Sequence, residues 1–357
     1  MKQALLLVLG GVMWAATCGG AGIPIKTGGV SCRLYAIGGE SNVTTNPVDS
    51  VEEWHGGDFH GQPPHWDASA ALPSPQAGLH AVTINNSAVW VVSHQQPPCA
   101  KGVGLCLSYL GPSGWTPVLT AGGTLPPALT AGWAWFGAAC SMSRSIVVAG
   151  GGPPHHEGAA LKFDTRTRVW SALPSLMQRR WGHALVAVGE RMFVLGGIYN
   201  VNKTLAFQLS SCEMLEEGTS SWVKAPPLPV PRMAHAAGVI GTKIIVAGGY
   251  CGLNEGIGGA PCPQEGLGQS VIILDTADLA TARWQNFRPM LASRFGHAVA
   301  VAGNILFALG GGFEDRPAAT TPTVEAYDLV LNEWRAAPNM STPRFQLAAA
   351  AVCAESA

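Results

Sequence analysis

The sequence predicts an all-β fold, a six-bladed β-propeller with four antiparallel strands per blade. Three observations carry that reading. A phrase of two apolar runs closed by Gly-Gly recurs along the chain. A Trp-led short strand follows each copy after a loop of variable length. The composition is rich in turn formers and aromatic wedges and poor in charge, with 45 Gly, 26 Pro and 12 Trp among 357 residues and 12% charged.

Aligned on the Gly-Gly pair, the second strands read "RLYAIGG" (33–39), "AVWVVSH" (88–94), "RSIVVAGG" (144–151), "RMFVLGG" (191–197), "KIIVAGG" (243–249) and "NILFALGG" (304–311). The second copy has Ser93-His94 in place of the glycines. Successive anchors lie 46 to 62 residues apart, so loops of unequal length join constant cores, the mark of a repeat array. Thirteen residues before each later anchor stands one position: His80, Gly137, His183, His235 and His297. From there to the anchor run two apolar stretches with a short turn, an inner hairpin buried on both faces between neighbouring blades. Third strands are expected at 51–55, 160–164, 212–216, 271–275 and 324–328. Trp66, Trp115, Trp170, Trp222, Trp284 and Trp334 open the fourth strands, whose proline-rich exits end pairing.

The blades are placed at about 31–74 plus 344–353, 75–127, 132–176, 179–228, 231–290 and 293–340. The first repeat begins at its second strand, because "PIKTGGVS" before Cys32 is too polar for an inner strand. "RFQLAAAAVC" (344–353) follows the last blade and matches "RWGHALVAVG", so the ring is closed by a C-terminal strand in the first blade. In that register Cys353 and Cys32 fall on Gly189 and Glu190, neighbours in an intact hairpin, and a Cys32–Cys353 disulfide is expected to clasp the ring.

The Gly-Gly pair, the spaced aromatic and the Trp resemble the kelch-repeat β-propeller family, and the resemblance covers about residues 31 to 353. It implies a propeller-only chain of secreted type. Residues 1–22 have one Lys, an apolar run too short to span a bilayer and small residues at the exit, the layout of a signal peptide. An imitation of the strand phrase by "ALLLVLGG" is the competing reading. Removing Cys18 with that segment leaves eight cysteines. Cys99 with Cys106 and Cys251 with Cys262 bracket variable loops and are expected to staple them, whereas Cys140 and Cys212 are expected to be free and buried. Asn42, Asn85, Asn202 and Asn339 are N-x-S/T sequons and candidate glycosylation sites.

Net charge of −1 and the absence of a basic cluster argue against nucleic-acid partners. No apolar run after the first segment is long enough for a membrane span. The recurrent histidines are better read as repeated structural residues than as metal ligands, and the pair His155-His156 as a solvated loop. Copper radical oxidases resemble this architecture at a distance, but their tyrosine, histidine and cysteine ligand set is not assembled here. No nucleophile elbow, P-loop or H-E-x-x-H pattern is present. The sequence therefore names no catalytic residue, metal or cofactor.

The candidate binding residues precede the inner strands: Arg180, Arg232, Arg294 and Arg344, each followed by an apolar residue, Trp181, Met233, Phe295 and Phe345. Placed at the channel rim, they would suit carboxylates, acidic peptides or sugars through forked hydrogen bonds and stacking. Arginines at this position contact acidic peptides in intracellular kelch substrate receptors, which the resemblance carries over to these four alone. The second and third blades have Ala77 and Ala134 there, the latter flanked by Trp133 and Trp135. The competing reading is that each arginine braces its own loop. The sequence thus suggests a secreted or lumenal monomer that binds an anionic protein or glycan at the rim. The alternatives are a sialic-acid mutarotase-like enzyme or, inside the cell, a ubiquitin-ligase substrate receptor or actin scaffold.

Overall fold

Strands of five residues that are apolar on both faces are stable only between two neighbours, and every blade here contributes such a pair. The computed structural model describes residues 30–41, 47–55, 64–94, 105–118, 138–151, 158–200, 206–251, 267–313 and 316–355. The expected signal segment lies outside them. Six four-stranded antiparallel sheets form the ring. The fourth blade is representative: Ala184–Val188, Arg191–Leu195, Cys212–Glu216 and Val223–Ala225 pair in sequence order. All five expected third strands are present with the expected bounds. Two small hairpins, Ile198–Asn200 with Ala206–Gln208 and Gly312–Phe313 with Arg316–Thr320, extend the loops after Gly-Gly in the fourth and sixth blades.

The core is divided among the interfaces between blades. Leu185, Ala187, Met192 and Val194 of the fourth blade pack on Cys140, Val147 and Ala149 of the third. Their alternate neighbours Ala184, Val186, Phe193 and Leu195 pack on Val239, Ile244 and Val246 of the fifth. The period of two thus sends each strand's side chains to opposite interfaces. At the outer edge four tryptophans add a directional bond, the indole N–H donating to a carbonyl of the preceding blade. Trp115 reaches Ala70 at 2.7 Å, Trp222 reaches Pro174 at 2.7 Å, Trp284 reaches Pro226 at 2.9 Å and Trp334 reaches Arg288 at 2.9 Å.

The seam between the chain's two ends repeats the same contacts. Ala348–Glu355 forms the innermost strand of the first blade and pairs along all of Val30–Ile37. Trp66 donates to Pro338 of the sixth blade at 2.9 Å, and Thr83 Oγ1 of the second blade to Ala351 O at 2.8 Å. Cys32 and Cys353 are directly opposed and disulfide-bonded. Cys106 and Cys251 are disulfide-bonded too, each expected in a separate disulfide of its own blade's loop, and Cys99 and Cys262, their respective expected partners, lie outside the described residues. Cys140 and Cys212 are free and buried. Of the sequons, Asn85 and Asn339 are exposed, and Asn42 and Asn202 lie outside the described residues.

One register differs from expectation. The second blade's inner hairpin turns over three residues, pairing Ile84 with Ala88, where the fourth pairs Val188 with Arg191. Asn85 and Asn86 take left-handed conformations there, at φ of 52° and 51°. The extra residue shifts the strand's start by one. Leu79, not His80, occupies the place of His183, and Gln76, not Ala77, that of Arg180: a Cβ on Gly38 would meet Leu79 and the Gln76 carbonyl, as one on Gly150 meets His183 and the Arg180 carbonyl.

Because the clasp closes a loop of 321 residues, replacing Cys32 and Cys353 by Ser is expected to lower unfolding free energy by up to about 6 kcal/mol in the chain-entropy account. Equilibrium denaturation of the double variant checks this; an unchanged midpoint would contradict it.

Candidate functional site

Among the described residues five blades enter the inner strand through a four-residue step: Arg-Trp-Gly-His in the fourth, Arg-Met-Ala-His in the fifth, Arg-Phe-Gly-His in the sixth, Arg-Phe-Gln-Leu in the first and Gln-Ala-Gly-Leu in the second. The first residue faces inward. Arg180, Arg232, Arg294 and Arg344 are among the most buried large side chains of the protein. Arg180 donates through Nη1 to Gly196 O and Ser211 O, both at 2.8 Å, and through Nη2 to Ser211 Oγ at 3.1 Å and Glu213 Oε1 at 2.6 Å. Arg294 repeats this with Gly310, Thr323 and Glu325, and Arg344 with Gly38, Ser50 and Glu52. The carboxylates in turn accept backbone N–H groups of the entry loop, as Glu213 does from Met177 at 2.7 Å and Gln178 at 2.9 Å. The expected rim of arginines is therefore corrected. The guanidinium fork is spent on strand-end carbonyls that have left the ladder and on a buried carboxylate. The expectation of an anionic ligand loses the residues on which it rested. Glu52, Glu213 and Glu325, each the second residue of a third strand, are the signal that would have revealed the brace.

The second residue of the step forms a collar at the channel mouth. Trp181, Met233 and Phe295 are half-buried and Phe345 is buried. Each is held by a backbone bridge to the residue after Gly-Gly: Trp181 to Ile198, Met233 to Tyr250, Phe295 to Gly312 and Phe345 to Glu40. Phe295 stands edge-on to Phe345, with ring centroids 5.3 Å apart, and 5.9 Å from Tyr250. Tyr250 and Glu40 were not marked in the sequence, because loop residues after Gly-Gly share no type between blades. Burial pushes the Glu40 carboxyl above its ordinary range. Arg179, unlike its buried neighbour Arg180, is exposed and lies over the Tyr199 ring at 5.9 Å. Trp133 and Trp135 lie outside the described residues, as do His155 and His156.

The third residue links five of the six blades by hydrogen bonds along the channel ring, that of the third blade lying outside the described residues. Ala234 N donates to Gly182 O at 2.9 Å, Gly296 N to Ala234 O at 2.8 Å, Gln346 N to Gly296 O at 2.8 Å and Gly78 N to Gln346 O at 3.1 Å. All five residues are left-handed, with φ between 50° and 64°. Ala234 and Gln346 adopt that conformation despite a Cβ, a cost borne by the contacts around them.

The fourth residue wedges against the preceding blade. A Cβ on Gly150 would lie 2.4 Å from His183 Cε1 and 2.5 Å from Arg180 O, so the Gly-Gly pair is required by the next blade's approach as well as by its own turn. His183, His235 and His297 are buried, and burial pushes His235 and His297 down to about 3 and His183 well below its ordinary value. They are neutral packing residues. Among the described residues no group of three His, Cys, Asp or Glu side chains is placed to hold a metal ion. No helix among these residues is long and apolar enough to cross a membrane.

Comparison with known proteins agrees with this architecture. The family model described as the KLHDC2/KLHL20/DRC7 Kelch-repeats domain matches residues 136–355. Kelch-like protein terF of Aspergillus terreus is 27% identical over 192 residues, 52% of this chain and 39% of the relative. Kelch-like protein 34 of Homo sapiens is 29% identical over 175 residues, 48% of this chain and 24% of the relative. Kelch domain-containing protein 3 of Rattus norvegicus is 28% identical over 181 residues, 46% and 43% of the two chains. The match thus spans less than half the length of each of these relatives.

The buried histidines set an acid limit on stability. Unfolded histidine takes up a proton near pH 6.5, whereas His235 and His297 resist it down to about pH 3. Their contribution is complete above pH 6.5 and is lost as pH falls through that value toward 3, by about 2 kcal/mol for each at pH 5. Replacing His183, His235 and His297 by Leu, the residue at this position in Leu79 and Leu347, is expected to flatten the fall in urea midpoint between pH 7 and 5. An equal fall in the triple variant would contradict the account.

Proposed function

The chain belongs to the kelch-repeat family, and on that premise we propose that it is a secreted or lumenal interaction module whose collar at the channel mouth receives a protein or glycan partner. One observation carries the reading. The arginine, glycine and histidine positions of the entry step are consumed in holding the ring, whereas the collar position carries Trp181, Met233 and Phe295, which stay half-buried, and Phe345, which packs on Phe295 of the neighbouring blade. Half-buried aromatic groups with a fixed backbone present apolar area at little entropic cost, which suits the centre of an interface. Arg179, two residues before Trp181, and Glu40, bridged to Phe345, supply opposite charges, so the partner is expected to meet both signs. The proposal keeps Trp181, Phe295 and Phe345 as site residues and assigns the four step arginines to the frame.

Secretion is supported by the charge and apolar layout of residues 1–22 and by the cysteine usage, since disulfides persist in oxidising compartments. In that compartment Asn85 and Asn339, the sequons among the described residues, are exposed to glycosylation.

Binding of the purified chain to a glycan array and to a displayed library of extracellular protein domains tests the reading. For a binder so identified, Trp181→Ala and Phe295→Ala are each expected to weaken affinity at least about tenfold while near-UV circular dichroism is kept, as for central interface aromatics. Affinity unchanged in both variants would overturn the collar as the site.

A further inference from the structure

One of the four arginine braces is incomplete. Arg232 of the fifth blade is 1% exposed, as buried as its counterparts. Yet it donates only to Gly248 O at 3.1 Å and, at the limit of a hydrogen bond, to Ser270 Oγ at 3.5 Å. Its Nε has no acceptor among the described residues. In the sister blades a carboxylate stands at this point. Glu325 takes both Nε and Nη2 of Arg294 at 3.0 and 2.8 Å, together with the N–H groups of Leu291 and Ala292. Glu52 does the same for Arg344, Ser341 and Thr342.

The fifth blade has replaced the acid and kept the base. Ile272 pairs with Val246 in the register in which Glu213 pairs with Val194. Its side chain belongs to the apolar cluster between the fourth and fifth blades. Pro229 stands where Met177 and Leu291 donate an N–H, and has none to give. Val230, in the place of Gln178 and Ala292, retains its N–H, which has no acceptor among the described residues. By register, Arg232 Nε and Val230 N–H are the donors that meet on one glutamate oxygen in the sixth and first blades, whereas in the fourth Arg180 Nε turns to Gln178 O at 3.2 Å. A guanidinium withdrawn from water without a counter-charge is costly. Burial accordingly pushes the Arg232 pKa down to about 10.

We propose that the fifth blade binds a small monovalent anion, a halide or a carboxylate no larger than formate, between Arg232 Nε and the Val230 N–H, where sister blades carry a glutamate. Pro229 is exposed and Val230 half-buried, so the entry loop that carries one of the two donors meets solvent. Ile272 holds the register position of the glutamate and packs in the apolar cluster, so the guest replaces the carboxylate head group alone. Occupation restores the counter-charge, so the anion stabilises the folded chain by mass action. The site is separate from the collar, and its failure would leave the interaction reading untouched.

Two measurements on the full chain test this. Crystals grown in sodium bromide or sodium formate are expected to show the anion at hydrogen-bond distance from Arg232 Nε and at none of the other three arginines; bromide without formate, or the reverse, assigns the guest as halide or carboxylate. In solution, the melting temperature of the wild type is expected to rise by several degrees, and to saturate, as sodium chloride or formate replaces sodium methanesulfonate at constant ionic strength. Ile272→Glu, which supplies the carboxylate internally, and Arg232→Leu, which removes the donor, are expected to abolish the dependence. Should Ile272→Glu not fold, Arg232→Leu and the diffraction experiment carry the comparison. No anion at Arg232 in either crystal, or an equal anion response in wild type and variants, would overturn the proposal.

Discussion

The fold rests on the fit of one blade's entry step into the Gly-Gly pair of the blade before it. Gly197 N donates to Arg232 O, Gly249 N to Arg294 O, Gly311 N to Arg344 O and Gly39 N to Gln76 O, at 2.7 to 2.9 Å. Without a Cβ on the first glycine, the next blade's histidine or leucine reaches the interface; with one, it cannot. A blade is marginal alone, since both faces of its inner strands are apolar. It becomes stable by meeting two copies of itself, and this contact sets the angle at which they meet.

Several features follow from that constraint. The entry step must be anchored to its own blade before it can serve its neighbour, which explains why an arginine is buried there and tied to both strand ends. Polar groups at the end of a ladder would otherwise lack partners, and in the first, fourth and sixth blades the guanidinium satisfies two carbonyls and a carboxylate at once. The step also fixes the backbone amides in the channel ring, and the collar side chains between arginine and ring residue are thereby presented from a rigid base. At the seam the same set of contacts joins residues some 300 apart, Arg344 to Glu52 and Trp66 to Pro338. Closure is thus built from the ordinary blade interface, with the disulfide added where the inner hairpin is cut.

Much of this was legible in the sequence because it repeats. Strand bounds, the six blades, the C-terminal strand and the Cys32–Cys353 pairing all follow from aligning six copies, where errors in one are corrected by the others. What did not follow is local. The three-residue turn at Asn85–Ser87 displaced the second blade's step by one residue, and turn length leaves no periodic trace. Arginine was read at the right positions in the other blades, but residue type does not say which way a side chain points. The glutamates of the third strands held that information, being charged residues at a position otherwise apolar, as in Leu161 and Ile272. Tyr250 and Glu40 of the collar come from loops, where position is set by tertiary structure alone.

Native-state hydrogen exchange of the channel-ring amides tests the central claim most directly. If the ring depends on inter-blade docking, the N–H groups of Gly78, Ala234, Gly296 and Gln346 exchange together, with the free energy of global unfolding, because no blade detaches alone. Independent exchange of these amides blade by blade, at a cost well below global unfolding, would contradict it.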